Sequence, residues 1–433
     1  MPAKQLQAEG IYMASSEKSL NSGWRSTLAG KYIASKGGIW AKGSFDTKLF
    51  AFLAVTVVLG LLMLYSASYP DAYSEGLKPS YYFDNQLMGV LVGTVLMLIV
   101  SKINHKMFME AGAYIGSFVS LGLLGIVLFI GDADAGTSIK RWITIGSIRF
   151  QPSDVAKLAL ILTLAYILHK YHYLVISKNP LKVKVATAIN SLVGKPVIND
   201  SFKVVVGCAA VILLYVGLVL IGSHLSGAII MMGIAVCVLY VGEVRLSWFG
   251  LGIVAVIIVG VVAYMAGFIK PYMIQRLVSF VGDNEDPLGA DWQTNQALYA
   301  IGSGGFFGKG LGQSIQKYNY VPEPQNDMIY SIIVEELGFI GGVAVILLFA
   351  LIIWRGTVIG INCPTRYGAL VAFGITFKLA MQVFLNIGVA TDFIPNTGIT
   401  LPFFSYGRTA LIVNLVEMGI LLSISRSSRI KKT

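Results

Sequence analysis

The side chains best suited to chemistry gather in the second half of the chain. Asp327 follows Tyr320-Val321-Pro322-Glu323-Pro324-Gln325-Asn326 and directly precedes an apolar run. A carboxylate at a helix N-terminus is favoured in its ionised form by the helix dipole and by any nearby Lys or Arg. A general base needs that form. Asn326 or Asp327 is also a natural N-cap for the following helix, so a plain capping role stands beside the catalytic one. Glu335 and Glu336 come eight and nine residues later, about 12–14 Å further along a helix rising 1.5 Å per residue. Acidic side chains at membrane depth are costly and are expected to be functional or paired. Lys157 and Lys378, which fall inside apolar runs, are the partners the sequence offers.

Cations form the second set. Lys140, Arg141, Arg149, Arg276, Lys309 and Lys317 lie in the two longest polar loops of the apolar region. Arg binds phosphate oxygens as a bidentate fork and Lys acts as a point charge, so an anionic ligand is the chemistry they suggest. For each one alone, a solvated loop residue is the plain alternative. The run Gly302-Ser303-Gly304-Gly305-Phe306-Phe307-Gly308-Lys309-Gly310-Leu311-Gly312 invites a phosphate-cradle reading. It does not fit the P-loop, because Ser303 and Gly310 stand where Gly and Ser/Thr are required. Tight turns and close helix packing are the expected roles of these glycines. His105, His169, His172 and His224 are scattered, and no HExxH or CxxC occurs, which argues against zinc. The cysteines are three, Cys208, Cys237 and Cys363, too few for a disulfide framework.

The elements that must hold these residues are membrane helices. Of 433 residues, 55% are hydrophobic and 13% charged, about half the charged fraction of a soluble domain. That balance excludes a cytosolic enzyme and a disordered chain. Leu49 to Pro70 is an uncharged run of 22 residues, long enough to cross a ~30 Å core. Further spans are expected near 86–102, 110–130 and 153–169, then two within Val204–Gly242 joined by a hairpin at Gly222-Ser223-His224. The series continues near 247–267, 328–354, 367–390 and 406–425. Backbone in lipid must satisfy its own hydrogen bonds, so the fold class is an all-α polytopic bundle of ten transmembrane helices. With both termini cytoplasmic, 22 of the 33 basic residues fall inside and nine outside, as the positive-inside rule requires. The net charge of +11 is then accounted for without nucleic acid. Residues 1–48 read as a flexible basic cytoplasmic tail, 49–425 as the membrane domain, and 426–433 as a basic cytoplasmic end. Between helices 7 and 8 lies a large extracytoplasmic loop, 268–327. A loop this long is usually functional.

Taken in order, the motifs resemble one family. They are Tyr65-Ser66-Ala67-Ser68, Lys140-Arg141-Trp142-Ile143 and Gln151-Pro152-Ser153, followed by Asp286-Pro287-Leu288-Gly289, Gln293 and Gln296. Next come Ala300-Ile301-Gly302-Ser303-Gly304-Gly305, Gly308-Lys309-Gly310-Leu311-Gly312-Gln313-Ser314 and Gln316-Lys317. The last are Val321-Pro322-Glu323, Glu335-Glu336-Leu337-Gly338, Pro395-Asn396-Thr397-Gly398-Ile399-Thr400-Leu401-Pro402 and Ser405-Tyr406-Gly407. This ordered set resembles the SEDS proteins (shape, elongation, division and sporulation), which include FtsW, RodA and SpoVE. Glu323-Pro324-Gln325 and the basic tail look more like the division branch.

The resemblance implies a peptidoglycan glycosyltransferase. It would polymerise lipid II, the undecaprenyl-diphosphate-linked disaccharide pentapeptide, at the outer face of the bacterial cytoplasmic membrane. Its partners would be a class B penicillin-binding protein and other divisome or elongasome proteins. The family's catalytic aspartate falls on Asp327. Lys140, Arg141, Trp142, Arg276, Gln316, Lys317, Glu323, Ser405 and Tyr406 would bind substrate, with the cations on the diphosphate and a divalent cation, Mg or Mn, as an optional aid. The chain departs from the family pattern at Asn326, Met328 and Tyr330, at Asp154, at His224-Leu225-Ser226-Gly227, and at Arg408, where a glycine is expected. A lipid II flippase and an inactive scaffold recruiting the crosslinking enzyme are the competing readings. A flippase should carry polar or broken helices near the bilayer midplane.

Overall fold

The structure, a computed structural model, describes residues 38–133, 140–146, 148–172, 198–222, 224–250, 252–254 and 292–429. The helices are α1 (Thr47–Ser74), α2 (Tyr81–Lys102), α3 (Phe108–Ile130), α4 (Pro152–Lys170), α5 (Ile198–Ile221), α6 (Leu225–Val241), α7 (Trp292–Gly304), α8 (Ile329–Ile361), α9 (Arg366–Ala390) and α10 (Arg408–Ser427). Among the described residues eight helices are long and apolar enough to cross a membrane, and α6 is a shorter apolar helix. The hairpin expected at 222–224 is present between α5 and α6. Most of the span expected at 247–267 lies outside the described residues, as does the first part of the 268–327 loop.

The core is shared by all of these helices. α10 lies along α2, α3 along α4, α8 along α9, and α7 along the first half of α8. The apolar surface left over faces outward, with Phe118 and Phe129 both more than four-fifths exposed, as expected of helices that contact lipid tails.

Two expectations are corrected. The fold is not purely α-helical: β1 (Asp132–Ala133), β2 (Lys140–Ile145) and β3 (Ile148–Phe150) form an antiparallel sheet. Ile143, Thr144 and Ile145 pair with Phe150, Arg149 and Ile148, so β-branched residues fill a strand pattern. The end of the N-terminal tail is also packed, not loose. Asp46 is buried, caps α1 through Leu49 N at 2.9 Å and pairs with Arg355. Ala41 N donates to Lys102 O at 2.7 Å. A buried carboxylate with a cap to supply and a guanidinium to pair holds the chain down at that point.

α8 is broken at Gly338, whose φ of 71° and ψ of −173° are not helical. Backbone freed within a membrane helix needs new partners, and the segment after α7 supplies them. Lys309 N and Gly310 N donate to Glu335 O and Glu336 O, both at 3.0 Å, while Phe339 N donates to Gly305 O at 2.9 Å. A Cβ on Gly338 would lie 2.3 Å from Gly308 N, and one on Gly308 would lie 2.2 Å from Glu336 O. Only glycine permits this approach and these positive φ values. The glycine-rich segment 302–312 is therefore a splint for the broken helix, in line with the packing role expected of it.

Candidate active site

Asp327 sits just before α8, but it does not cap it. The N-cap is Met328, with no side-chain cap bond. The Asp327 carboxylate turns instead to α7, where Gln293 Nε2 donates to Oδ1 at 3.2 Å. The Gln293 carbonyl accepts from Asn396 Nδ2 at 2.9 Å. Asn386 of α9 donates one amide to both Asp327 O and Ile399 O, each at 2.7 Å. Gly398, at φ 66°, lies beside Oδ2: a Cβ there would come within 3.9 Å of that oxygen and of nothing else within 4 Å. Ser226, at the start of α6, donates to Thr397 O. The half-buried Asp327 is thus set at the meeting of α6, α7, α8, α9 and the 395–402 loop.

The proline-rich entry is braced from behind. Tyr406 N donates to Gln325 O at 2.8 Å, and the Gln325 side chain lies beside Asp71 at the end of α1. Ser405 is buried. Its hydroxyl accepts from Leu401 N at 2.7 Å and its carbonyl accepts from Gln86 Nε2 at 3.0 Å. The Tyr406 ring meets Tyr82 edge-on with centroids 4.9 Å apart, and burial raises its phenol above the ordinary range. These two residues, expected at the substrate, shape the loop that carries Asp327. Glu323 is exposed at φ 47° and accepts from Asn326 Nδ2 at 2.7 Å.

Glu335 and Glu336 are 0% exposed and form a separate cluster. Their expected partners, Lys157 and Lys378, lie elsewhere. Glu335 accepts from Lys309 Nζ at 2.7 Å, from Ser303 and Ser314 hydroxyls, and from Ile315 N at 3.1 Å and Gln316 N at 3.3 Å. Glu336 accepts from Ser66 Oγ at 2.7 Å, Gly312 N at 3.0 Å and Lys317 Nζ at 2.8 Å. Lys317 also donates to Gly312 O and Ser66 Oγ, so all three of its N–H bonds have acceptors. At 2% exposure it is engaged within this cluster, whereas the sequence offered it as a cation for the diphosphate. Gln316 takes part through its backbone.

Lys157 instead pairs with Asp154 at 2.7 Å, and Lys378 with Glu417 at 2.7 Å and Asn414 at 2.8 Å. These charges lie buried among α4, α9 and α10. His224 lies half-buried beside them, and desolvation with the nearby Lys157 and Arg141 pushes it down to about 3. It is therefore neutral and adds no positive charge at neutral pH.

Arg141 and Trp142 lie half-buried on β2, and Arg149 of β3 stacks over the Trp142 ring at 4.7 Å. The backbone of Lys140 pairs with Ala133. Arg276 lies outside the described residues. Arg408 opens α10 against Gly89 and Asn85, with a long 3.5 Å contact to the latter, so α2 accommodates the residue that departs from the family pattern. Among the described residues no group of three or more His, Cys, Asp or Glu side chains is placed to share a metal ion.

Comparison with known proteins adds independent findings. The family of cell cycle proteins FtsW, RodA and SpoVE matches residues 46–430. Stage V sporulation protein E of Bacillus subtilis (strain 168) is 34% identical over 393 residues, covering 90% of this chain and 99% of that one. A probable peptidoglycan glycosyltransferase FtsW of Trichlorobacter lovleyi is 32% identical, covering 88% and 93%. Among solved structures, a chain of a peptidoglycan synthase complex that coordinates polymerization and crosslinking matches with a TM-score of 0.67 at 26% identity, covering 88% of this chain and 98% of that one. The rod shape determining protein RodA of Thermus thermophilus matches with a TM-score of 0.60 at 25% identity, covering 89% and 98%.

Proposed function

Because the chain belongs to the FtsW, RodA and SpoVE family, we propose that it is a multi-pass membrane glycosyltransferase that polymerises lipid II into peptidoglycan strands, with Asp327 as general base. The observation that carries this reading is the placement of Asp327: a half-buried carboxylate released from capping and held at the junction of five segments. Its end of the bundle faces outward, ten helices cross the membrane, and both termini are cytoplasmic.

In the reaction, the 4-hydroxyl of one lipid-linked disaccharide attacks the anomeric carbon of a diphosphate-linked glycan. The O4–C1 bond forms as the C1–O bond to the diphosphate breaks. The diphosphate leaves with the bonding electron pair, and Asp327 takes the hydroxyl proton. A base within hydrogen-bond reach contributes about 10²–10⁴-fold. Arg141, on the sheet, is the described cation suited to the leaving diphosphate, and Arg276 and Lys140 are assigned the same role. The partner is a class B penicillin-binding protein, which would crosslink the strands.

The flippase reading draws on the broken α8 and on the buried charges among α4, α9 and α10, which the sequence alone did not place together. The break, however, is filled by the chain's own 305–310 segment, and the charges neutralise one another. The test is polymerisation of lipid II by the purified full chain, with and without its cognate penicillin-binding protein. Polymer from wild type and none from Asp327→Asn is expected. Equal polymer from both would overturn the base assignment. Lipid II translocation without polymer would favour the flippase.

A further inference from the structure

Gln293 is tied at both ends of its amide. Its NH₂ donates to Asp327 Oδ1 at 3.2 Å, and its carbonyl accepts from Asn396 Nδ2 at 2.9 Å. Asn396 is in turn fixed, because its own carbonyl accepts from Gly398 N at 3.1 Å. The series runs in one direction, from the 395–402 loop through α7 to the carboxylate. An amide side chain can accept at one end while donating at the other, which an ionised carboxylate or an ammonium cannot do. Asparagine would be one methylene too short from the same backbone position.

The support behind the series is rigid. Asn386 bonds Asp327 O and Ile399 O with one amide group, so the backbones on both sides of Gln293 are held to α9. Ser226 anchors Thr397 O to α6. Gln293 of α7 thus reaches Oδ1, and Gly398 of the loop lies near Oδ2.

We propose that Gln293, oriented by Asn396, is a positioning residue for the Asp327 carboxylate. Through its bond to Oδ1 it fixes the plane of the carboxylate that takes the acceptor hydroxyl's proton. This rests on the reading of Asp327 as the base. A hydrogen bond to a carboxylate also favours its ionised form, so Gln293 contributes to keeping the base deprotonated. Of the charged and titratable groups in the described segments, Glu323 lies in the same loop and acts on Asp71 at the end of α1, His224 stands two residues before Ser226 at the start of α6, and Lys309 and Lys317 are engaged by Glu335 and Glu336. All of these stay unchanged in the variants below.

The experiment is the pH profile of lipid II polymerisation by the full chain with its cognate penicillin-binding protein, comparing wild type, Gln293→Ala, Gln293→Glu, Asn396→Ala and Asp327→Asn. Gln293→Ala is expected to lower kcat by roughly ten- to a hundredfold, with less change in KM, because a misoriented base costs about that much. Its acidic limb should move up by roughly one pH unit, the loss of one hydrogen bond to a charged group. Gln293→Glu, of nearly the same shape, should move the limb further, since a second carboxylate disfavours ionisation of the first. Asn396→Ala should do the same as Gln293→Ala to a smaller degree. Where Gln293→Ala does not fold, Gln293→Glu carries the test alone. Reduced turnover with an unmoved acidic limb in both Gln293 variants, or wild-type turnover in both, would overturn the proposal while leaving Asp327 as base. Activity retained by Asp327→Asn would instead sink the reading on which it rests.

Discussion

Asp327 and the pair Glu335–Glu336 stand within ten residues of one another, at the start of the same helix, in opposite surroundings. The two glutamates are 0% exposed and are ringed by lysine, serine and backbone donors drawn from α1, α7 and the 309–317 segment. Asp327 is half-buried and meets the Gln293 amide of α7, with Gly398 near its other carboxylate oxygen. The contrast separates two uses of a carboxylate in a membrane protein. One is saturated by donors and closes a break in a helix. The other is oriented by the amide of Gln293 at the junction of several segments.

The contrast can be broken by substitutions in the glutamate cluster. Glu336→Ala leaves Lys317 buried without its carboxylate, and removing one partner of a buried pair costs about 3–5 kcal/mol. Thermal unfolding in detergent should show the largest loss of stability for this variant. A wild-type melting temperature would mean that the cluster is not structural. Gly338→Ala comes next. Its backbone is in a region nearly confined to glycine, and the added Cβ would lie 2.3 Å from Gly308 N, so about 2–3 kcal/mol is expected. The same melting experiment checks it, and a rise in proteolysis within 305–317 would locate the damage. Lys309→Ala should have the smallest effect of the three. This lysine side chain is 28% exposed, and Glu335 keeps its serine and backbone donors, so roughly 1 kcal/mol is expected after screening. Its polymerisation rate per folded molecule should remain near wild type.

Much of this was legible in the sequence because it is local. Span lengths follow from uncharged runs, the α5–α6 connection from the Gly222–His224 interruption, and the candidacy of Asp327 from a carboxylate behind two prolines. What was not legible depends on which segments meet. The partners of Glu335 and Glu336 are Lys309 and Lys317, not the intramembrane Lys157 and Lys378, because a glycine break in α8 lets the preceding segment fold back on it. No spacing rule announces that. Gln293 and Asn396 were visible within motifs but carried no titratable group to draw attention, and their role depends on a contact across 103 residues. The sheet at 132–150 was hidden by short strands. The capping role offered to Asp327 failed because Met328 occupies the cap.

The most direct test of the account compares Asp327→Asn with Glu336→Gln, measuring lipid II polymerisation and melting temperature on the same preparations. The account predicts that Asp327→Asn melts like wild type and makes no polymer, whereas Glu336→Gln melts lower and, where folded, still polymerises. Polymer from Asp327→Asn, or a stable but inactive Glu336→Gln, would contradict the division of labour between the two carboxylate sites.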